Sequence, residues 1–171
     1  AALMTGTKVS YRTVSAYAEL LSVPAMEALM MEAMQEAEKP EYTDDDYEYA
    51  ARFAADQASP SIDTAILPAD QSINLGSTDV GDVSWQVPTG LIGVTTEAAG
   101  CALHTWQVVA QGKSPLAHKG MHYAARILFA AAKKLHESPE RCALIQDDYQ
   151  HVIGHRTYQS MLPDSVKPGD F

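Results

Sequence analysis

The chain has 171 residues, 46% of them hydrophobic, enough to bury the core of one domain, or of one domain and part of another. Its 12 basic and 22 acidic residues leave a formal net charge of −10, which disfavours nucleic acid and anionic membranes as partners, since both are held by basic patches. Cys101 and Cys142 form no CxxC pair, so a reducing cytoplasm is expected rather than a disulfide framework. No apolar run approaches the length of a membrane span. The chain opens Ala-Ala-Leu-Met-Thr-Gly, without an initiator methionine or the basic and apolar regions of a signal peptide, and reads as sequence from inside a longer protein.

In chain order, Lys8, Ser10 and Arg12 alternate with Val9, Tyr11 and Thr13, and this period of two predicts a strand within Ala1 to Tyr17. Such a strand would have a sheet edge in need of a neighbour. Pro24 suits a helix start, because its missing N–H would be unpaired there in any case. Ala25 to Glu38 follows as a helix of strong helix formers, with Met26, Leu29, Met30, Ala33, Met34 and Ala37 on one face. Core packing is the ordinary use of such a face, and a methionine-rich binding surface the rarer one. Lys39-Pro40 ends it. Thr43 is a natural N-cap for a helix running to about Gln57, with Asp44, Asp45 and Asp46 in its first turn, where the helix dipole favours carboxylates. Three consecutive aspartates point around a helix and do not converge on a metal. Residues 58–76 read as a connector with one short strand at Ile66-Leu67.

The stretch from Leu75 to Gly120 concentrates the chemistry. Gly76 to Trp85 is small and polar, and Ser77, Thr78, Asp79 and Asp82 could meet a ligand or hold their own turn. Val87 to Thr96, β-branched and uncharged, predicts an interior strand buried on both faces, with the helix from Pro115 packed over the sheet. A small-residue loop then leads to His104. Taken by spacing alone, a histidine with no partner is more often hydrogen-bonded structure than a ligand. Cys101 stands three residues before it, but without a second ligand pair it reads as a small buried residue. Pro115 to about Glu137 predicts a long helix, and Ser138-Pro139 starts another reaching about Val152. His118 and His122 share a helix face, but Lys119 stands where a zinc-protease helix has glutamate. His118 and Lys119 could contact an anionic substrate group or be solvated. The tail from His155 reads as coil.

The stretches GSTDVGDVSWQVPT and ALHTWQVVAQGKSPLAHKGM, with the opening LMTGT and the segment from Pro24 to Gln57, resemble the C-terminal part of M20-type metallopeptidases and amidohydrolases, nearest the aminobenzoyl-glutamate utilization protein B group. The resemblance covers nearly the whole chain and is weakest in the tail. It implies an α/β fold: residues 1–40 as the last strand and helix of a ferredoxin-like lid and dimerisation domain, and 41–171 as the C-terminal half of a zinc-peptidase-like catalytic domain, a sheet flanked by helices. It implies a cofactor of two zinc or manganese ions in the whole enzyme, with His104 as one metal ligand and the loop Ser77 to Ser84, together with His118, near the substrate. The family's other ligands and its general-base glutamate belong to the N-terminal half, and none of those motifs stands in this sequence.

The resemblance therefore implies part of a metal-dependent amidohydrolase cleaving an N-acyl amino acid such as p-aminobenzoyl-glutamate. The isolated chain would hold at most one weak metal ligand and would be inactive. Its partners would be the small-molecule amide, the missing N-terminal half and a second subunit in a homodimer or heterodimer. A non-catalytic interaction module derived from the same fold, and an independent metalloenzyme using His104, His118 and His122, remain open at this point.

Overall fold

Proline and small hydroxyl residues set the helix starts. The computed structural model describes residues 1–54, 60–68, 76–167 and 169, and in these it contains seven helices and no strand. The first, α1 (Ala2–Thr5), is a single turn. Pro24 opens α2 (Pro24–Glu36). Thr43 caps α3 (Asp44–Ala51) with a full capping box: its hydroxyl accepts from the Asp46 amide, and the Asp46 carboxylate accepts from the Thr43 amide at 2.7 Å. Two short helices follow, α4 (Val80–Ser84) and α5 (Trp106–Gln111). Ser114 and Pro115 start α6 (Pro115–Glu137), and Ser138 and Pro139 start α7 (Pro139–Ile153). Ser138 ends α6 and caps α7 at once, its hydroxyl accepting from the Arg141 amide at 3.2 Å. The long helices begin and end within two residues of where the sequence places them. The exception is α3, which stops at Ala51, and residues 55–57 of its expected continuation lie outside the described residues.

The expected α/β architecture is overturned: among the described residues there is no sheet. Ala1 to Tyr17 forms one helical turn and then irregular chain, with Leu3, Met4, Val9 and Tyr11 almost wholly exposed. Val87 to Thr96 is irregular too, as are Ile66 and Leu67; residues 58, 59 and 69–75 of the connector are not among those described. The physical reason is that a strand is made by its neighbour. Residues 61–63 approach 95–99, but one backbone bond, from the Ala99 amide to the Ser61 carbonyl at 2.8 Å, joins them where a ladder needs repeated pairs. The β-branched run instead spends its apolar side chains on helices: Ile92 and Val94 pack against the main core. The helix expected to start near Pro115 therefore has no sheet to cover, and it lies instead against this irregular segment. A side chain at Gly120 would meet the Thr95 carbonyl oxygen at 2.1 Å, so only glycine lets α6 come that close.

The long helix α6 is the spine. Its C-terminal half contributes Ile127 and Ala131 to a core shared with Leu21, Val23, Leu29, Met30 and Ala33 of the α2 region and with Ile145 and Tyr149 of α7. Its first turn puts Leu116 into a second cluster with Ala50, Ile62 and Ala98. The main core joins residues from both sides of position 40, and the methionine face of α2 serves it.

Helix α2 has no capping side chain of its own, and its neighbours supply the missing partners. Asp148 of α7 accepts from the Ala25 amide at 2.7 Å, placing a carboxylate at the positive end of the dipole. At the other end the Tyr123 hydroxyl donates to the Met34 carbonyl at 2.8 Å. Midway, Glu32 accepts from Lys134 at 2.7 Å and from Arg141, tying three helices together.

Candidate functional site

The residues singled out from the sequence fall into three places. The first is the approach to α4. Ser77, Thr78 and Asp79 are exposed there, and the Thr78 hydroxyl accepts from the Val80 amide at 3.3 Å, closing its own turn. Asp82 is half-buried and already engaged, its carboxylate accepting from the Ala18 amide at 3.1 Å and from the Tyr158 hydroxyl at 2.9 Å. That hydrogen bond to the Asp82 carboxylate, reinforced by burial, raises the Tyr158 phenol above its ordinary range. Ser84, fully buried, accepts from the Leu21 amide at 2.9 Å and donates to the Gly81 carbonyl at 2.6 Å. The Trp85 indole donates to the Glu19 carbonyl at 3.0 Å, and the Arg156 guanidinium lies over its ring at 4.8 Å. This polar loop therefore clamps residues 18–21 and the tail at 156–158. Of its acidic groups Asp79 remains outside the clamp.

The second place is the loop between Ala98 and Thr105. Gln111, wholly buried at the end of α5, organises it. Its side-chain oxygen accepts from the Ala98 amide at 2.8 Å, and its nitrogen donates to the Gln107 carbonyl at 3.1 Å and lies 3.6 Å from the Cys101 sulfur. On this frame His104 is exposed and takes a φ of 60°, the one positive φ on a residue other than glycine among those described. A left-handed backbone costs a residue with a Cβ about 1–2 kcal/mol. Strain of this kind persists where the surroundings impose it, and it collects at functional sites. Leu103, Trp106 and Val109 beside it are exposed, and Trp106 meets Phe53 edge-on at 6.4 Å between ring centres.

His118 and His122 are exposed on α6. Lys119 between them is not available to a substrate anion, because its ammonium pairs with the buried Asp46 carboxylate. Burial alone would raise the Asp46 carboxyl, but the hydrogen bonds from Lys119 and from the Thr43 amide and hydroxyl outweigh it and hold the group below the usual carboxylate range. The bonds of Gln111 with Ala98, of Asp46 with Lys119 and of Tyr158 with Asp82 lie outside the sequence reading: each spans 13 or more residues, and the sequence carries no local signal for it.

No group of three or more His, Cys, Asp or Glu that could hold a metal ion occurs among the described residues. The three histidines His104, His118 and His122 thus do not converge on a centre of their own, and a lone imidazole cannot make a two-metal site by itself. What the loop offers is an exposed histidine at a positive φ, beside a segment tied to α5 by Gln111. No helix among the described residues is long and apolar enough to cross a membrane.

No family model matches the chain, and no solved structure matches it. The chain is similar to one of the subunits of the p-aminobenzoyl-glutamate hydrolase of Escherichia coli (strain K12), 28% identical over 197 aligned positions that span 98% of this chain and 41% of that protein. It thus covers less than half the length of the curated relative it matches.

Proposed function

We propose that these 171 residues are one portion of an amide hydrolase of the M20 type, acting on an N-acyl amino acid such as p-aminobenzoyl-glutamate. The observation that carries this reading is the similarity to a hydrolase subunit along 98% of the chain. The positive φ of the exposed His104 supports it from the structural side. His104 would supply one ligand to a site for divalent ions, with the remaining ligands outside these residues. The bound metal would supply Lewis acidity and an activated water. The chain's own residues shape the loop that carries the histidine: Gln111 ties Ala98 to α5, and Gly100 takes a φ of 71°. The exposed side chains of Leu103, Trp106 and Val109 give the rest of the enzyme, including a partner subunit, an apolar surface beside that histidine. Ser77, Thr78, Asp79 and His118 are exposed and remain candidates for substrate contact, whereas Asp82 would act by holding its loop.

The discriminating experiment substitutes His104→Gly in the hydrolase assembled with its full length and partner subunit. Glycine adopts a φ of 60° freely, so relief of about 1–2 kcal/mol of strain offsets its own backbone entropy of about 0.5–1 kcal/mol. The variant should melt at or slightly above the parent temperature, yet release aminobenzoate at least about 100-fold more slowly and retain less metal. Undiminished turnover and full metal content in His104→Gly would remove the residue from the site. Robust hydrolysis by the 171 residues alone would overturn the reading that they are a portion of the enzyme.

A further inference from the structure

We propose that the cavity between α2, α3 and α6 is a binding site for a single-ring aromatic carboxylate. The cavity has a volume of about 290 Å³, and the segments 64–66 and 93–95 complete its wall. Three tyrosines from separate parts of the chain line it: Tyr42 ahead of α3, Tyr47 within α3 and Tyr123 in α6. Tyr42 and Tyr47 stand edge-on, 6.3 Å apart at 71°, the arrangement that presents one ring's face and another's edge to a third ring. Met34 and Val94 add apolar wall. A dry cavity of about 150 Å³ already accepts benzene, so this volume has room for a ring with a polar substituent.

The charge of the ligand follows from the lining. Lys39 is the only charged residue in it, is exposed, and forms no ion pair among the described residues. The neighbouring Lys119 lies over the Tyr42 ring at 5.8 Å, but its charge is taken by Asp46. The Tyr123 hydroxyl is spent on the Met34 carbonyl, whereas the Tyr42 and Tyr47 hydroxyls have no hydrogen-bond partner among the described residues. A free ammonium and two free phenol donors with no carboxylate in the wall suit an anion. In a chain of net charge −10, such a lining stands apart from its surroundings. The inference rests on the cavity alone and not on the hydrolase reading.

The test is calorimetric titration of the chain with benzoate, benzamide and cyclohexanecarboxylate. Benzoate should bind, and benzamide and cyclohexanecarboxylate should each bind about tenfold more weakly, losing respectively the charge-assisted bond and the ring contacts. Lys39→Met, at an exposed position that leaves the fold intact, should weaken benzoate about tenfold and leave benzamide unchanged. Gly93→Val adds side-chain bulk at a lining position where a Cβ meets no atom within 4 Å, and should weaken binding of all three. No binding of benzoate, equal affinity for benzoate and benzamide, or benzoate affinity unmoved by Lys39→Met or Gly93→Val would each overturn the proposal. None of these outcomes depends on catalysis, so failure here and failure of the hydrolase reading are separable.

Discussion

At the scale of single residues, Gly120 shows how closely two opposing effects can be compared. Replacing a mid-helix glycine by alanine ordinarily stabilises a helix by about 1 kcal/mol. Here the added methyl would stand 2.1 Å from the Thr95 carbonyl oxygen and 2.9 Å from a methyl carbon of Thr96. The first of these is backbone and cannot rotate aside, and overpacking of this kind costs about 1–3 kcal/mol. The steric effect should win, so Gly120→Ala is expected to lower stability by about 1 kcal/mol, read as a lower urea midpoint at an unchanged slope. A raised midpoint would show that α6 can lift from residues 95–96 without loss. Asp82 carries a related lesson. Its sequence context allows either a ligand contact or a turn, and the structure commits it to the Ala18 amide and the Tyr158 hydroxyl, partners 64 and 76 residues away.

Among the elements, the junction of α2, α6 and α7 is governed by Glu32. Its carboxyl is held from its ordinary 4.5 down to about 2, first by the hydrogen bond from Arg141 and then by that from Lys134. A group whose pKa is depressed by folding adds stability that is complete above its unfolded value and vanishes as the pH falls through its folded one. Glu32→Gln should therefore be less stable than the parent near neutral pH, and the difference should shrink between pH 4.5 and about 2. A difference independent of pH across that interval, measured by urea denaturation, would mean that the pair contributes through packing alone. The helices themselves are legible in the sequence because their signals are local. Thr43 with Asp46, Ser114 with Pro115, and Ser138 with Pro139 each carry their capping chemistry within four residues. The run from Val87 to Thr96 misleads for the complementary reason, since strand formation depends on a neighbour that the run cannot itself encode. Of the candidate site, the sequence carries the position of His104 through family resemblance, but neither its backbone strain nor the Gln111 frame beneath it.

Taken whole, the molecule is held by one long helix that reaches both cores, with α2 laid across α6 and α7 from far away in the chain. Glu32 and Arg141 are 109 residues apart, whereas α6 and α7 are separated by Ser138 alone. That one-residue corner has a kinetic consequence. A helical hairpin with so short a connection closes at little entropic cost, so it belongs early in folding, while α2 must close a long loop and belongs after the rate-limiting step. Ser138→Ala removes a cap worth about 1 kcal/mol. If the corner is formed at the barrier, that loss should appear as folding slowed about fivefold with little change in unfolding. Glu32→Gln should do the reverse, hastening unfolding and leaving the folding limb of the chevron in place. Stopped-flow measurements with the two effects exchanged would put α2 in the nucleus. With the effects as expected, the persistence of the native state is set by how long α2 stays docked, and the speed of reaching it by a single serine.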